Sequence, residues 1–251
     1  MSDPSTSAHL GKAEYVAQEL LRFIISSKIA ADSSIGTETD LLSRYDVSRP
    51  TLRESLRILE SQGVVERRPG PGGGIIARKP APGRVAHALS IFLHFNKVPF
   101  GKALMAREVI EPALASEAAL HGSEADFVEM RTSIARMKEC RDHDAFMGEN
   151  RVFHGIVARA SGNKVLEVFW QALSLMGSGD FHGIRYTANH QKHVVAAHQR
   201  ILQACSERDA TGAAQAMAEH VGELENLVRR RYEHLLDAPP DVVGLGTRSA
   251  G

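Results

Sequence analysis

From residue 84 to residue 237 the apolar residues recur at three- and four-residue spacing, and no stretch alternates as a strand does. A chain with that pattern buries its apolar stripes only by packing helix on helix. Seven helices are expected there, over 84–95, 100–121, 124–140, 144–160, 164–178, 189–207 and 211–236. Asp142, Asn163 and Asp209 are the caps or turn residues between them, and Pro112 should bend the second.

Before residue 80 the elements are shorter. Residues 13–27 carry Val16, Leu20, Phe23 and Ile24 at helical spacing. Thr37-Glu38-Thr39-Asp40 reads as a capping box opening a helix to about Tyr45. Ser48 is a good N-cap for a third helix ending at Gln62, where Gly63 supplies the stop. Two strands, 64–68 and 75–78, follow, joined by a long glycine-rich loop. Lys79-Pro80-Ala81-Pro82-Gly83 then interrupts regular structure. The expected fold is mainly α: a winged helix-turn-helix over 10–79, a linker over 80–83, an all-α antiparallel helical bundle over 84–237, and a flexible tail over 238–251.

Composition narrows the function classes. Lys+Arg and Asp+Glu both number 30, which excludes a globally basic nucleic-acid binder but not a local basic patch. Cys140 and Cys205 form no CxxC and no disulfide framework, as suits a reduced compartment. No apolar run approaches membrane-spanning length, and the N-terminus lacks a signal pattern. A cytoplasmic protein with no membrane partner is expected.

The local patch lies on the third helix. Leu52, Leu56 and Leu59 form one stripe, while Arg49, Arg53 and Arg57 form a second, roughly a quarter turn away. Between Arg44 and Lys79 stand eight basic and four acidic residues, a local excess in a neutral chain. Guanidinium forks suit phosphate oxygens and guanine edges. The competing reading is a solvated face paired with Glu54 and Glu60. Gly72, Gly73 and Gly74 favour DNA, because they let a wing tip come close to a sugar-phosphate backbone.

Three histidines sit on apolar faces of different helices: His154 beside Phe153 and Val157, His198 beside Val194 and Ile201, and His220 beside Met217 and Leu224. Singly, each reads as a satisfied core histidine. Together they need a shared partner. Asn150 lies one turn before His154, so Asn150, His154, His198 and His220 form a candidate site for a divalent transition metal, Zn or Ni. His190 and His193 fall on other faces, Ser174, Met176 and Ser178 are candidates to line a pocket, and Trp170 and Phe169 read as core.

The run Val47-Ser48-Arg49-Pro50-Thr51-Leu52-Arg53-Glu54-Ser55-Leu56, with Leu59-Glu60-Ser61-Gln62-Gly63-Val64-Val65 and the glycine-rich wing, resembles the GntR family of bacterial regulators. The resemblance implies that Arg49 and Arg53 contact an operator and that the wing at Gly72 and Gly73 enters or flanks the minor groove. Arg44 and Thr51 join them as DNA-binding candidates. The family's usual arginine near the start of the second helix is here Thr39, which implies altered operator sequence or weaker binding.

The segment Asn150-Arg151-Val152-Phe153-His154, with Ala197-His198-Gln199-Arg200-Ile201 and Ala218-Glu219-His220, is similar to the FCD effector domain of the FadR-type branch. Arg107-Glu108-Val109-Ile110-Glu111 fits that domain's early helix. The family's usual aspartate is here Asn150, so no protein ligand among the four is anionic. A bound ion would keep its full charge and favour a small carboxylate effector, with Arg107 as second anchor.

The resulting expectation is a homodimeric, ligand-responsive regulator of double-stranded DNA, with repression the expected sign and no enzymatic activity. The alternatives are a metal-dependent hydrolase or hydratase, and a metal-stabilised regulator without a small-molecule effector. The enzyme reading needs a general base beside the metal. Glu149 is about 100° from Asn150 around the helix, and no HExxH or Ser/Cys triad signature is present.

Overall fold

The computed structural model describes residues 11–70, 73–177 and 184–238, and divides the chain into two compact units, Met1–Arg84 and Val85–Gly251. The first unit contains α1 (Lys12–Ser26), β1 (Ser34–Gly36), α2 (Glu38–Tyr45), α3 (Arg49–Gln62), β2 (Val65–Arg68) and β3 (Gly74–Ala77). Side chains start two of its helices as the sequence suggests. Thr37 N donates to the Asp40 carboxylate at 2.7 Å while Asp40 N donates to Thr37 Oγ1 at 3.2 Å, and Thr51 N donates to Ser48 Oγ at 3.4 Å. Gly63 closes α3 at φ 74°, a backbone region that costs glycine nothing.

Leu52, Leu56 and Leu59 face inward as one stripe and pack with Leu20, Leu41, Val65 and Ile75. The wing is an antiparallel pair with Val65 opposite Ala77 and Arg68 opposite Gly74. The other edge of β3 pairs with β1, giving the strand order β1-β3-β2. That third strand was not expected, because three residues are too few for an alternating pattern to register.

α4 (Pro82–Phe95) leads into the second unit, followed by α5 (Phe100–His121), α6 (Glu124–Glu139), α7 (His143–Ala160), α8 (Lys164–Gly177), α9 (Ala188–Ser206) and α10 (Ala210–Arg231). The expected linker over 80–83 is therefore interrupted by helix. Proline at a first helical position forfeits no hydrogen bond and brings a preset φ, so Pro82 starts α4 instead of breaking regular structure. The last expected helix stops at Arg231, and a 3-10 turn at Glu233–Leu235 continues the chain. The expected flexible tail lies outside the described residues from 239 onward.

α5 is the axis of the bundle and packs on α7, α8, α9 and α10. A helix so enclosed has to be apolar on several sides, and Leu114, Ala115, Ala118 and Ala119 are all buried. Pro112 is accommodated within it, and α5 continues to His121. Phe127, Met130, Phe146, Phe153, Ile201 and Met217 fill the space between the surrounding helices. No helix among the described residues is long and apolar enough to cross a membrane.

Because Leu56 is fully buried beneath α3, Leu56→Ala is expected to destabilise the first unit by about 2–5 kcal/mol. Urea unfolding of the full chain, followed by far-ultraviolet circular dichroism, checks this. The transition of the second unit should stay where it is.

Candidate nucleic-acid interface and metal centre

α3 exposes its arginine stripe while its leucines anchor it, and the three guanidinium groups differ in their surroundings. Arg49, at the first position of α3, is exposed and has no ion-pair partner among the described residues. Arg53 Nε lies 3.5 Å from the Glu38 carboxylate at the start of α2, and Arg57 lies 3.2 Å from Glu54. Thr51 is half-buried, its Oγ1 2.8 Å from Ser48 Oγ. The Arg44 guanidinium lies 3.5 Å from the centroid of the Phe23 ring, a cation–π contact that leaves the residue exposed.

The wing is tied to α3 by charge. Glu60 accepts from the backbone N–H of Arg67 at 3.1 Å and from its guanidinium at 3.0 and 2.7 Å. These bonds hold the Glu60 carboxyl below the usual range. Arg78 is bound by Glu66 and Asp32. Glu54 therefore meets the arginine stripe as the solvated-face reading supposed, whereas Glu60 fixes the wing instead. At the tip, a Cβ on Gly73 would lie 2.2 Å from the Arg68 carbonyl oxygen, so only glycine fits that turn. Gly72 lies outside the described residues.

In the second unit α7, α9 and α10 bring His154, His198 and His220 to one point. His220 Nε2 lies 3.1 Å from His154 Nε2 and 3.1 Å from His198 Nε2. All three are buried, and their ligand atoms lie within 4.8 Å of one another. Nitrogens bound at about 2.0–2.1 Å to one ion stand roughly 3 Å apart, so the spacing suits a shared metal. Phe153 stacks on His198 with ring centroids 3.8 Å apart, which fixes that imidazole's plane.

Glu111 of α5 completes the arrangement. Its carboxylate accepts from His154 Nδ1 and, at 2.5 Å, from Arg107 Nε. With Nδ1 donating, His154 turns the Nε2 lone pair toward the other two histidines. Burial alone would raise the Glu111 carboxyl, but Arg107 and His154 outweigh it and hold it below the ordinary carboxylate range. Glu111 carries no assigned role in the sequence pattern. The signal was present as an i, i+4 Arg–Glu pair in an otherwise apolar helix.

Asn150 sits one turn before His154 on α7, and its Oδ1 is buried with no hydrogen-bond partner among the described residues. Arg107, Asn150, His154, Trp170 and Ser174 border a common cavity of about 20 Å³. Ser174 is thus placed at the pocket, whereas Ser178 and the Met176 side chain lie outside the described residues. His190 hydrogen-bonds Thr187 at the start of α9, and His193 is exposed. Both line a separate groove of about 380 Å³ that reaches His220.

Burial, followed by the neighbouring imidazoles, holds His198 well below its usual value and His220 at about 3. A lone-pair donor set of neutral imidazoles is what a transition metal requires, so the residues present fit such an ion. A histidine depressed in the folded state protonates first in the unfolded chain. Metal-free protein should therefore lose stability as pH falls below about 6.5, the ordinary imidazole value, and lose more below about 4.5 as Glu111 is titrated in the unfolded chain. Melting temperatures of the metal-free protein between pH 7.5 and 4 check the direction.

Comparison with known proteins places both units. Residues 12–75 match the model described as bacterial regulatory proteins, gntR family, and residues 102–223 match the FCD domain. The chain is 27% identical over 247 residues to the Uxu operon regulator of Haemophilus influenzae, covering 90% of this chain and 89% of that one. It is 26% identical over 220 residues to the Glc operon transcriptional activator of Escherichia coli, covering 83% and 85%. The solved Streptococcus agalactiae GntR shares the fold with a TM-score of 0.62 at 20% identity, over 85% of this chain and 99% of that one. The chain belongs to the GntR family of bacterial regulators, carries an FCD domain, and is a DNA-binding transcription regulator rather than an enzyme.

Proposed function

We propose that this regulator is switched by a small carboxylate bound at a divalent transition metal, Zn or Ni, inside its helical unit. The observation that carries the reading is the convergence of His154, His198 and His220, with Glu111 orienting the first of them. Asn150 is the fourth protein ligand in this reading, and its buried, unpartnered Oδ1 supports that role. A bound divalent ion would supply an electrophilic anchor for a carboxylate oxygen. Arg107 is the second anchor, and it borders the same cavity as Asn150 and His154.

In the first unit Arg49, Thr51 and Arg53 of α3, with Arg44 and the wing at Gly72 and Gly73, are the operator-reading set. The chain acts as a cytoplasmic homodimer that presents two copies of α3 to the half-sites of a double-stranded operator. Exposed Phe92 and Phe95 of α4 and Val109 of α5 offer apolar surface to the second copy. Effector binding shifts the balance between operator-competent and incompetent arrangements of that dimer, with release from a repressed operator the expected outcome.

The hydrolase reading gets no free base from the carboxylate bonded to the cluster. Glu111, the carboxylate bonded to the cluster, is committed to Arg107 and His154.

An operator selected from a random duplex pool gives the test. Arg49→Ala and Arg53→Ala should each weaken binding to it by about 1–3 kcal/mol in gel-shift titrations. Unchanged affinity removes that arginine from the reading set. In the metal-loaded protein one or more acids from a panel of small carboxylates should change operator affinity, and a chelator should abolish the change. A response that survives chelation contradicts the metal-centred switch.

A further inference from the structure

Three carboxylates stand beside the arginines of α3 and the wing, and two of them are committed within the protein. Glu60 takes Arg67 of the wing, and Glu54 takes Arg57 on its own helix. The third, Glu38, is the first residue of α2 and accepts no hydrogen bond among the described residues. Its ion-pair partner there is Arg53, whose Nε stands at 3.5 Å, too far for a strong bond. Asp40, in the same turn, is taken up by the capping box with Thr37. Glu38 is partly buried and borders the concave surface between the start of α2 and the wing, with Thr39, Glu60, Arg67 and Arg68.

A carboxylate so close to a DNA-reading arginine has to be reconciled with the duplex. Phosphates offer it like charge and no donor. Once Arg53 is drawn toward DNA, Glu38 keeps its charge and loses its cation. The donors a major groove holds are the amino groups of cytosine and adenine. Adenine sets its N7 acceptor beside that amino group, and guanine and thymine present acceptors to the same group. Cytosine presents a donor alone, so an acceptor-only side chain fits it best.

We propose that Glu38 is a specificity-determining residue of the operator contact, accepting a hydrogen bond from the N4 amino group of a cytosine next to the point that Arg53 engages. The inference rests on the reading of Arg53 as an operator contact. The competing role is that of a bare charge, which favours the positive end of the α2 dipole and holds Arg53 in the free protein. A bare charge would weaken binding to every sequence alike.

Operators selected from a random duplex pool by the wild-type protein and by Glu38→Gln separate the two roles. The wild type should select a cytosine at one position of each half-site. Glu38→Gln should leave that position flat, or turn it to adenine, the base a glutamine amide pairs with through two hydrogen bonds. The other positions should hold. In gel-shift titrations the full-length wild type should prefer its own operator about tenfold over one with thymine in place of that cytosine. Glu38→Ala should bring the two duplexes to within about threefold. A duplex with 2-pyrimidinone at the same position lacks the amino group, and it should cost the wild type about tenfold in affinity, a readout that does not depend on a variant folding. If the variants select the same bases and bind all duplexes more tightly, or if the 2-pyrimidinone duplex binds as well as the operator, Glu38 is a bare charge. The inference then falls while the Arg53 reading stands. If Arg53→Ala also leaves the selected bases and the affinity unchanged, both fall.

Discussion

Imidazole nitrogens taken out of water have to find a partner, and three Nε2 atoms aimed at one another meet that need by sharing a proton between neighbours or by sharing one ion. The second unit is arranged around this condition. α7, α9 and α10 each contribute one histidine, and α5, the helix on which all three pack, contributes the carboxylate that orients His154. Arg107 then neutralises Glu111, so the site's negative charge is balanced within α5 itself. The result is a buried cluster of three imidazoles with one opposed ion pair behind it and Asn150 one turn before His154.

The first unit handles charge differently. Its basic excess is partly consumed within the protein, since Arg67 and Arg78 hold the wing to α3 and to the strand edge through Glu60, Glu66 and Asp32. Arg53 meets Glu38 only loosely, and Arg49 meets no acid among the described residues. The paired Arg67 and Arg78 thus position the wing, and Arg49 and Arg53 are the ones we propose for a duplex. A guanidinium that has an intramolecular carboxylate to leave binds DNA at the cost of that pair. On this ground we propose Arg49 as the stronger reader of the two.

Much of this was legible before any coordinates. Thr37, Ser48 and Gly63 announced α2 and α3 because capping acts over three or four residues, within reach of a local pattern. The histidines were legible because a polar residue repeated on apolar helical faces demands a reason. Glu111 was not, because its partner His154 lies 43 residues away on another helix. β1 is too short to show a period, and Pro82 resembles a breaker in sequence although a first-turn proline interrupts nothing. Trp170 was read as core, correctly for its ring. Its Nε1, unpaired among the described residues, shows only once α7 and α8 are packed against each other.

Elemental analysis tests the central claim most directly. Protein purified without chelator and without a metal-charged resin should carry about one transition-metal ion per chain. The double substitution His154→Ala/His198→Ala should abolish that content while the first unit still folds. Wild-type protein that emerges metal-free, and whose melting temperature does not rise when Zn or Ni is added, would contradict the account.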